Sequence, residues 1–550
     1  MASALQVGAN CAWALVVLLT CAGVFVGANG DDSPSHFLAS KWEQIAEEIV
    51  SDALASGFNG DRASFIARRV ALEKRLKPLF RALPKIENGR LAPETVRYAL
   101  HRHFVRQYST YVHGLEPVGG VWNTSSPLDA LSRRIPEQVR SLFDSRFGTE
   151  GGFNLRELAL FGATLEFQIH NVALGYLREA YAITGHNLTT DLLNDTEVED
   201  VMDACMKLYS THSHQTMEYR TSISAADMPA WVDIVTFVRQ KHREVLGYSN
   251  IQKSFPEVAK LVDVIIEGLG PQQQDDCNRF VDDLIKIEVP GSGRVKLSNF
   301  YAMRFLDEDP EFLRSLGALD FEEHAGTPTE PHVIISNYVA SKTNCIASTD
   351  LYGICCPDAC EPLLTRLEEH FVNPVAKAEN IISFVQAMPS RTQLAPRKLG
   401  EALVRRLSDI AEVHGGKVPL HGRLFAQWMH LAYPYECQLP MKLGTTMLTA
   451  SKDVQRLSTE RERYNSEKAQ AYLQDYARAK DLEGGDLAST VLWHTEEVAF
   501  QHSPSSMMHQ AGVLARAFAF CATFFVIAHL VSGSVAPSTF KTSNGAPWSI

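Results

Sequence analysis

Residues 399–429 read LGEALVRRLSDIAEVHGGKVPLHGRLFAQWM, and the fold turns on how they are read. Leu399, Leu403, Leu407 and Ile410 recur with the 3.6-residue period of a helix that has one apolar face. Gly416 then allows the positive φ of a sharp turn, and Val418 follows it. Leu424, Phe425, Trp428 and Met429 open a second apolar face. The same layout occurs twice more. Gly89-Arg90-Leu91-Ala92-Pro93 and Gly293-Arg294-Val295-Lys296-Leu297 match Gly416-Lys417-Val418-Pro419-Leu420 as glycine, base, branched aliphatic, any residue, Leu or Pro. Each sits between two apolar helical stripes, although Pro78 must start or kink the helix before the first. A weaker fourth copy spans Thr190 to Cys205. Helical periodicity dominates elsewhere, and the strongest strand candidate is short, His332 to Ser336. Turn residues mark loops at Pro117–Gly120, Gly148–Gly152, Gly268–Pro271, Gly326–Pro331 and Ser503–Ser506. The expectation is a mainly α, multi-unit helical body.

Helix, glycine turn, one aliphatic residue, helix resembles the EF-hand, in which that aliphatic residue couples two loops through a short β-bridge. Calcium would need oxygen ligands at loop positions 1, 3, 5 and 12. The first copy offers Pro84, Ile86, Asn88 and Thr95; the second Glu288, Pro290, Ser292 and Asn299; the third Ala411, Val413, Gly415 and Gly422. None ends in the bidentate Glu. The weak copy does, with Glu197, but His186, Leu188 and Thr190 precede it. These are degenerate EF-hand-like helix-loop-helix repeats, and no cofactor is expected, calcium included.

The 550 residues carry 52 Lys and Arg against 64 Asp and Glu, a net charge of −12, which argues against a sequence-independent nucleic-acid binder. Apolar residues make up 45% and charged residues 21%, a globular composition. Ala12–Ala28 is an uncharged apolar run ending in small residues and reads as a signal peptide, with an uncleaved signal anchor as the rival. Ala517–Ala536 is also uncharged, lies between Arg516 and Lys541, and is long enough for a transmembrane helix. The expected organisation is a leader at 1–30, a helical lumenal body at 31–445, a charged helix and linker at 446–510, a span at 511–536 and a short tail at 537–550. Sequons at Asn123, Asn187 and Asn194 point the same way, toward a membrane glycoprotein of the secretory pathway or cell surface.

There are ten cysteines. Cys11 and Cys21 lie in the leader and Cys521 in the span. Four of the other seven, Cys345, Cys355, Cys356 and Cys360, crowd into NCIASTDLYGICCPDAC. In an oxidising lumen they read as a local disulfide knot, with adjacent Cys355 and Cys356 pairing elsewhere and one of the seven thiols left over. A four-cysteine zinc site is the rival, although the C-x2-C knuckles of zinc modules are missing.

The phrases TVRYALHRHFVRQY, RELALFGATLEFQIHNVALGYLREAY, NCIASTDLYGICCPDACEPLLTRLEEH and VPLHGRLFAQWMHLAYPYECQLP resemble a family of uncharacterised secretory or membrane proteins of dinoflagellates and related protists. The resemblance covers most of residues 72–440. It implies one shared body and no activity, cofactor or catalytic residue.

G-x-S-x-G, H-E-x-x-H, Walker A, C-x-x-C and G-x-G-x-x-G motifs are all missing. The densest chemical stretch is His414 to Cys437, where His430 and Cys437 form a candidate base–nucleophile pair. Aromatic core packing with Cys437 in a disulfide is the competing reading. His212 and His214 in THSHQT are candidate metal ligands that lack further ligands. The expected function is therefore a non-enzymatic interaction or scaffold role, with a membrane and an unidentified protein as partners and no nucleic acid. A calcium-responsive protein and a secretory-pathway hydrolase using His430 and Cys437 are the alternatives.

Overall fold

The computed structural model describes residues 62–440, apart from 87, 117–129, 132–136, 148–151, 211–230, 249–250, 304–305, 307, 321–322, 325–326 and 329. Outside that range it describes residues 46–48, 50, 52, 473, 493 and 495–497. The leader, the span at 511–536, His212, His214 and Asn123 lie outside the described residues, as does nearly all of the charged stretch at 446–510. None of the described helices is long and apolar enough to cross a membrane.

The chain is mainly helical, and its helices come in helix-loop-helix units joined two by two. Helices α1 (Arg62–Ala82) and α2 (Pro93–Tyr108) form the first unit, followed by strand β1 (Thr110–Val112). Helices α3 (Glu137–Phe147) and α4 (Leu155–Thr184) form the second, and the two loops meet in an antiparallel bridge, Leu91 to Phe153. The long helix α4 also opens the next pair. Its loop to α5 (Asp195–Ser210) bridges, Leu193 to Lys253, the loop between α6 (Trp231–Val245) and α7 (Phe255–Gln272). Because α4 is shared, these two pairs bury a single apolar core.

A third pair joins α8 (Gln274–Ile285), β2 (Arg294–Lys296) and α9 (Leu297–Ala302) to α10 (Pro310–Ser315), β3 (Leu319–Asp320), the short hairpin β4 (Glu323–His324) and β5 (Thr327–Pro328), β6 (His332–Ile334) and α11 (Ile335–Val339). Val295 faces Val333 in its antiparallel ladder. Strands β7 (Ala347–Ser348) and β8 (Tyr352–Ile354) follow, and β8 pairs with β1, which ties the cysteine-rich segment to the first unit. The fourth pair is α12 (Glu361–Phe371), β9 (Val375–Ala376) and α13 (Ala378–Ala387) with α14 (Glu401–Val413), β10 (Val418–Pro419) and α15 (Arg423–Ala432). Val418 faces Ala376. The third and fourth pairs each have their own core.

Local chemistry explains the turns. Gly89, Gly293 and Gly416 all have positive φ, a conformation that costs any residue with a Cβ. Helices α4, α5 and α7 begin on reciprocal caps: Asn154 with Glu157, Asn194 with Glu197 and Ser254 with Glu257.

Two expectations need correcting. The strand expected at His332–Ser336 stops at Ile334, where the chain turns into α11. Gly268–Pro271 is the last turn of α7 rather than a loop. Its glycines serve close approach: a Cβ on Gly270 would lie 2.3 Å from the Tyr108 carbonyl oxygen, and one on Gly268 2.7 Å from the Phe237 ring.

The disulfides also differ from a local knot. Only Cys345–Cys355 closes within the cluster. Cys356 reaches Cys277 on α8, and Cys360 reaches Cys437 beyond α15. Strand pairing explains this: β8 runs back along β7 and places Cys355 beside Cys345, while the next residue faces the third core. With these four cysteines bonded in pairs, the rival four-thiolate zinc site has no ligands. Cys205 keeps a buried thiol, which burial pushes up to about 12. Three disulfides of this kind belong to an oxidising extracellular or secretory compartment.

Candidate functional site: a cavity between the first, third and fourth pairs

A cavity of about 330 Å³ lies where α2, β1, α11, α12 and α15 converge. That size is at the lower end of the range for small-molecule sites, roughly 300–1,000 Å³. Helix α2 supplies one wall, because Tyr98, His101 and Arg102 fall at i, i+3 and i+4 and share a face. Helix α12 supplies the facing charges: Glu361 and Glu368 are seven residues apart and so lie on one side.

Arg102 joins them. Its Nε donates to both Glu361 carboxylate oxygens at 2.7 and 3.0 Å, its Nη2 donates to Glu361 at 2.7 Å, and its Nη1 donates to Glu368. Glu368 also accepts from His421 Nε2 at 2.9 Å. All four groups are withdrawn from solvent, the side chains being 3–7% exposed. Burial alone would raise the Glu368 pKa, but Arg102 and His421 outweigh it and hold the carboxyl at about 2. Burial likewise opposes the charge on Arg102, and Glu361 and Glu368 overcome it, so Arg102 stays protonated.

A second ion pair, Lys342 with Glu116 at 2.9 Å, lies on the same cavity. Asp358 accepts from the Cys360 amide at 2.8 Å and from Gln438 Nε2 at 3.4 Å. Burial and the nearby Glu361 charge push its carboxyl up to about 7. His101 is driven the other way, to about 4, chiefly by burial, and is neutral at physiological pH. Two edge-on ring contacts line this wall, Tyr98 with His421 at 5.7 Å and His101 with Tyr111 at 5.8 Å between centroids. The Tyr111 hydroxyl and His421 Nδ1 are buried without a hydrogen-bond partner. Leu316, Leu364, Leu420, Phe425 and Met429 supply apolar surface, and the Cys360–Cys437 disulfide closes one side.

The residues singled out in the sequence fall elsewhere or serve other ends. His430 is fully buried, and its Nδ1 donates to the Cys437 carbonyl at 2.7 Å. Burial and then Arg294 depress its pKa to about 3. Cys437 is disulfide-bonded and carries no thiolate in this oxidised form, so the pair has neither a nucleophile nor a free base. Glu197 accepts from the Asn194 amide and caps α5 in place of a cation. Among the described residues no group of three or more His, Cys, Asp or Glu could hold a metal ion. Asn187 and Asn194 are exposed, and the Asn187 side-chain oxygen accepts from the Thr189 amide and hydroxyl, both at 2.9 Å.

The buried Arg102 network went unread in the sequence because Arg102 lies 259 and 266 residues from its partners. One signal was available: Glu361 and Glu368 border the apolar stripe of Leu363 and Leu367, where a solvated acid does not belong. Comparison with protein-family models, curated proteins and solved structures finds no match.

Proposed function

We propose that this chain is a non-enzymatic binding protein of the secretory pathway or cell surface, a single-pass membrane glycoprotein whose disulfide-braced helical body presents the cavity to a ligand. The observation that carries the reading is the disulfide set: Cys277–Cys356 anchors the third pair and Cys360–Cys437 fixes the cavity wall. Such bonds persist outside the reducing cytosol. The apolar segments at 12–28 and 517–536 and the exposed asparagines at 187 and 194 agree with that placement.

The paired units are EF-hand-like in layout, with glycine turn, bridging aliphatic residue and antiparallel ladder in order. Their acids are spent on protein hydrogen bonds. Glu157 binds Arg90 at 2.8 Å, Glu257 caps α7, and Glu288 accepts from the Gly291 and Gly293 amides at 3.1 and 2.8 Å. This supports a structural use of the units over calcium response. The missing thiolate at Cys437 removes the support for a hydrolase. The test is topology: the full chain, translated into microsomes, is treated with glycosidase and with external protease. A glycosidase shift and protection of the body are expected; an unglycosylated, digested body would overturn the reading.

A further inference from the structure

We propose that the face carrying the α13–α14 loop is an interface between two copies of this chain, in which Leu394 of each copy fills a pocket of the other. The inference is read from the surface of the body and does not depend on the cavity's binding role. Leu394 is 89% exposed, more than any other large apolar side chain among the described residues. Its loop is pinned on both sides of it. The Ser390 amide donates to the Gln393 carbonyl at 3.0 Å, and the Thr392 amide and hydroxyl donate to Glu436 at 3.0 and 2.8 Å. Arg397 donates to Gln393 Oε1 at 3.0 Å and to the Ala432 carbonyl at 2.7 Å. The loop therefore holds an apolar side chain out in water, which burial against a second surface would relieve.

A pocket of about 210 Å³ lies between α6, α7 and α8, floored by Ile234, Leu269 and Ile346. The four carbons of a leucine fit such a space, since an apolar cavity of ~150 Å³ holds benzene. The rim is acidic: Asp233, Asp275 and Asp276 outnumber Arg279, which is paired with Asp276. The Leu394 loop is basic, with Arg391, Arg397 and Lys398. Lys398, Asp233 and Asp275 are exposed, and none of them forms an ion pair among the described residues. Loop and pocket share one side of α8. Arg391 binds Asp282 at 2.6 Å, and Asp282 lies two turns, about 10 Å, along the helix from Asp275. A basic knob beside an acidic pocket is self-complementary under a two-fold rotation. That rotation seats each Leu394 in the other copy's pocket, brings each Lys398 to the acidic rim, and closes at two copies.

The test mixes unlabelled and heavy-isotope-labelled full chain at high concentration in a mild detergent. A water-soluble carbodiimide then couples amines to carboxylates that touch them, and linked peptides are mapped by mass spectrometry. Only a link between a light and a heavy peptide arises between copies. The expected product joins Lys398 of one copy to Asp233 or Asp275 of the other. Leu394→Asp should cut its yield at least about tenfold, the worth of burying one leucine. Leu394→Met should keep it, since the volume and apolar character are conserved. Because Leu394 faces water in the single chain, Leu394→Asp should leave the melting temperature at high dilution unchanged.

Lys398 links confined to single copies would overturn the proposal, and so would links between copies whose yield survives Leu394→Asp. A chain that stays monomeric by light scattering at the same concentration, with no link between copies, would overturn it as well.

Discussion

Arg102 is the residue on which the site depends. It is the shared cation of two buried carboxylates, and its removal takes the cation from Glu361 and leaves Glu368 with His421 alone. Arg102→Met is expected to destabilise the body by about 3–5 kcal/mol, measured by urea unfolding, and Arg102→Lys is expected to recover only part of this because a single ammonium cannot form the bidentate contact to Glu361. Asp358 sets a pH dependence. Its folded pKa, about 7, lies above the ordinary carboxyl value, raised first by burial and then by Glu361. Between pH ~4 and ~7 the folded chain therefore holds a proton that the unfolded chain has lost, so this group's contribution to stability falls as pH rises through that window and levels off above it. Asp358→Asn should raise the melting temperature at pH 8 and leave it nearly unchanged at pH 4, and a set of melts across pH checks both. The role of Arg102 was not legible locally, since Arg102 in HRHFVRQY has the same local signature whether it meets solvent or two distant acids.

At the level of elements, the repeat read from glycine and aliphatic spacing marks real turns: Leu91, Val295 and Val418 all sit in inter-loop bridges or ladders. Of their partners, Val333 lies in the strand expected at His332–Ser336, whereas Phe153 and Ala376 escaped notice because their loops lack the glycine-base-aliphatic phrase. The caps at Asn154, Asn194 and Ser254 offered a second signal, a cap residue followed three positions later by Glu, which locates three helix starts independently of the glycines. Helix α15 has no such acid of its own, since Gly422 stands at its start. Glu497 takes the place, accepting from the Leu424 amide at 3.2 Å and from His414 Nε2 at 2.9 Å, while Trp493 packs on the fourth core under Arg406. Glu497→Ala is expected to cost about 1 kcal/mol, the value of a helix cap, and to speed amide exchange at Leu424. Unchanged exchange there would mean that this distant carboxylate does not cap the helix.

Among the described residues, four pairs of helix-loop-helix units are assembled by one shared helix, the β1–β8–β7 sheet and three disulfides. The mainly helical class and the crowding of cysteines were readable from composition and period. The pairing of cysteines 77 and 79 residues apart was not, because it depends on how finished units dock. The loop acids already accept protein hydrogen bonds, so calcium titration of the full chain should give no saturable rise in melting temperature; such a rise would return the loops to ion binding. The claim beneath all of this is that the body is oxidised and lies outside the cytosol. The direct measurement is disulfide mapping by mass spectrometry on full-length protein, alkylated at the moment of lysis. The account predicts Cys277–Cys356, Cys345–Cys355 and Cys360–Cys437, with Cys205 alkylated only after unfolding. Recovery of all seven body cysteines as free thiols would contradict it.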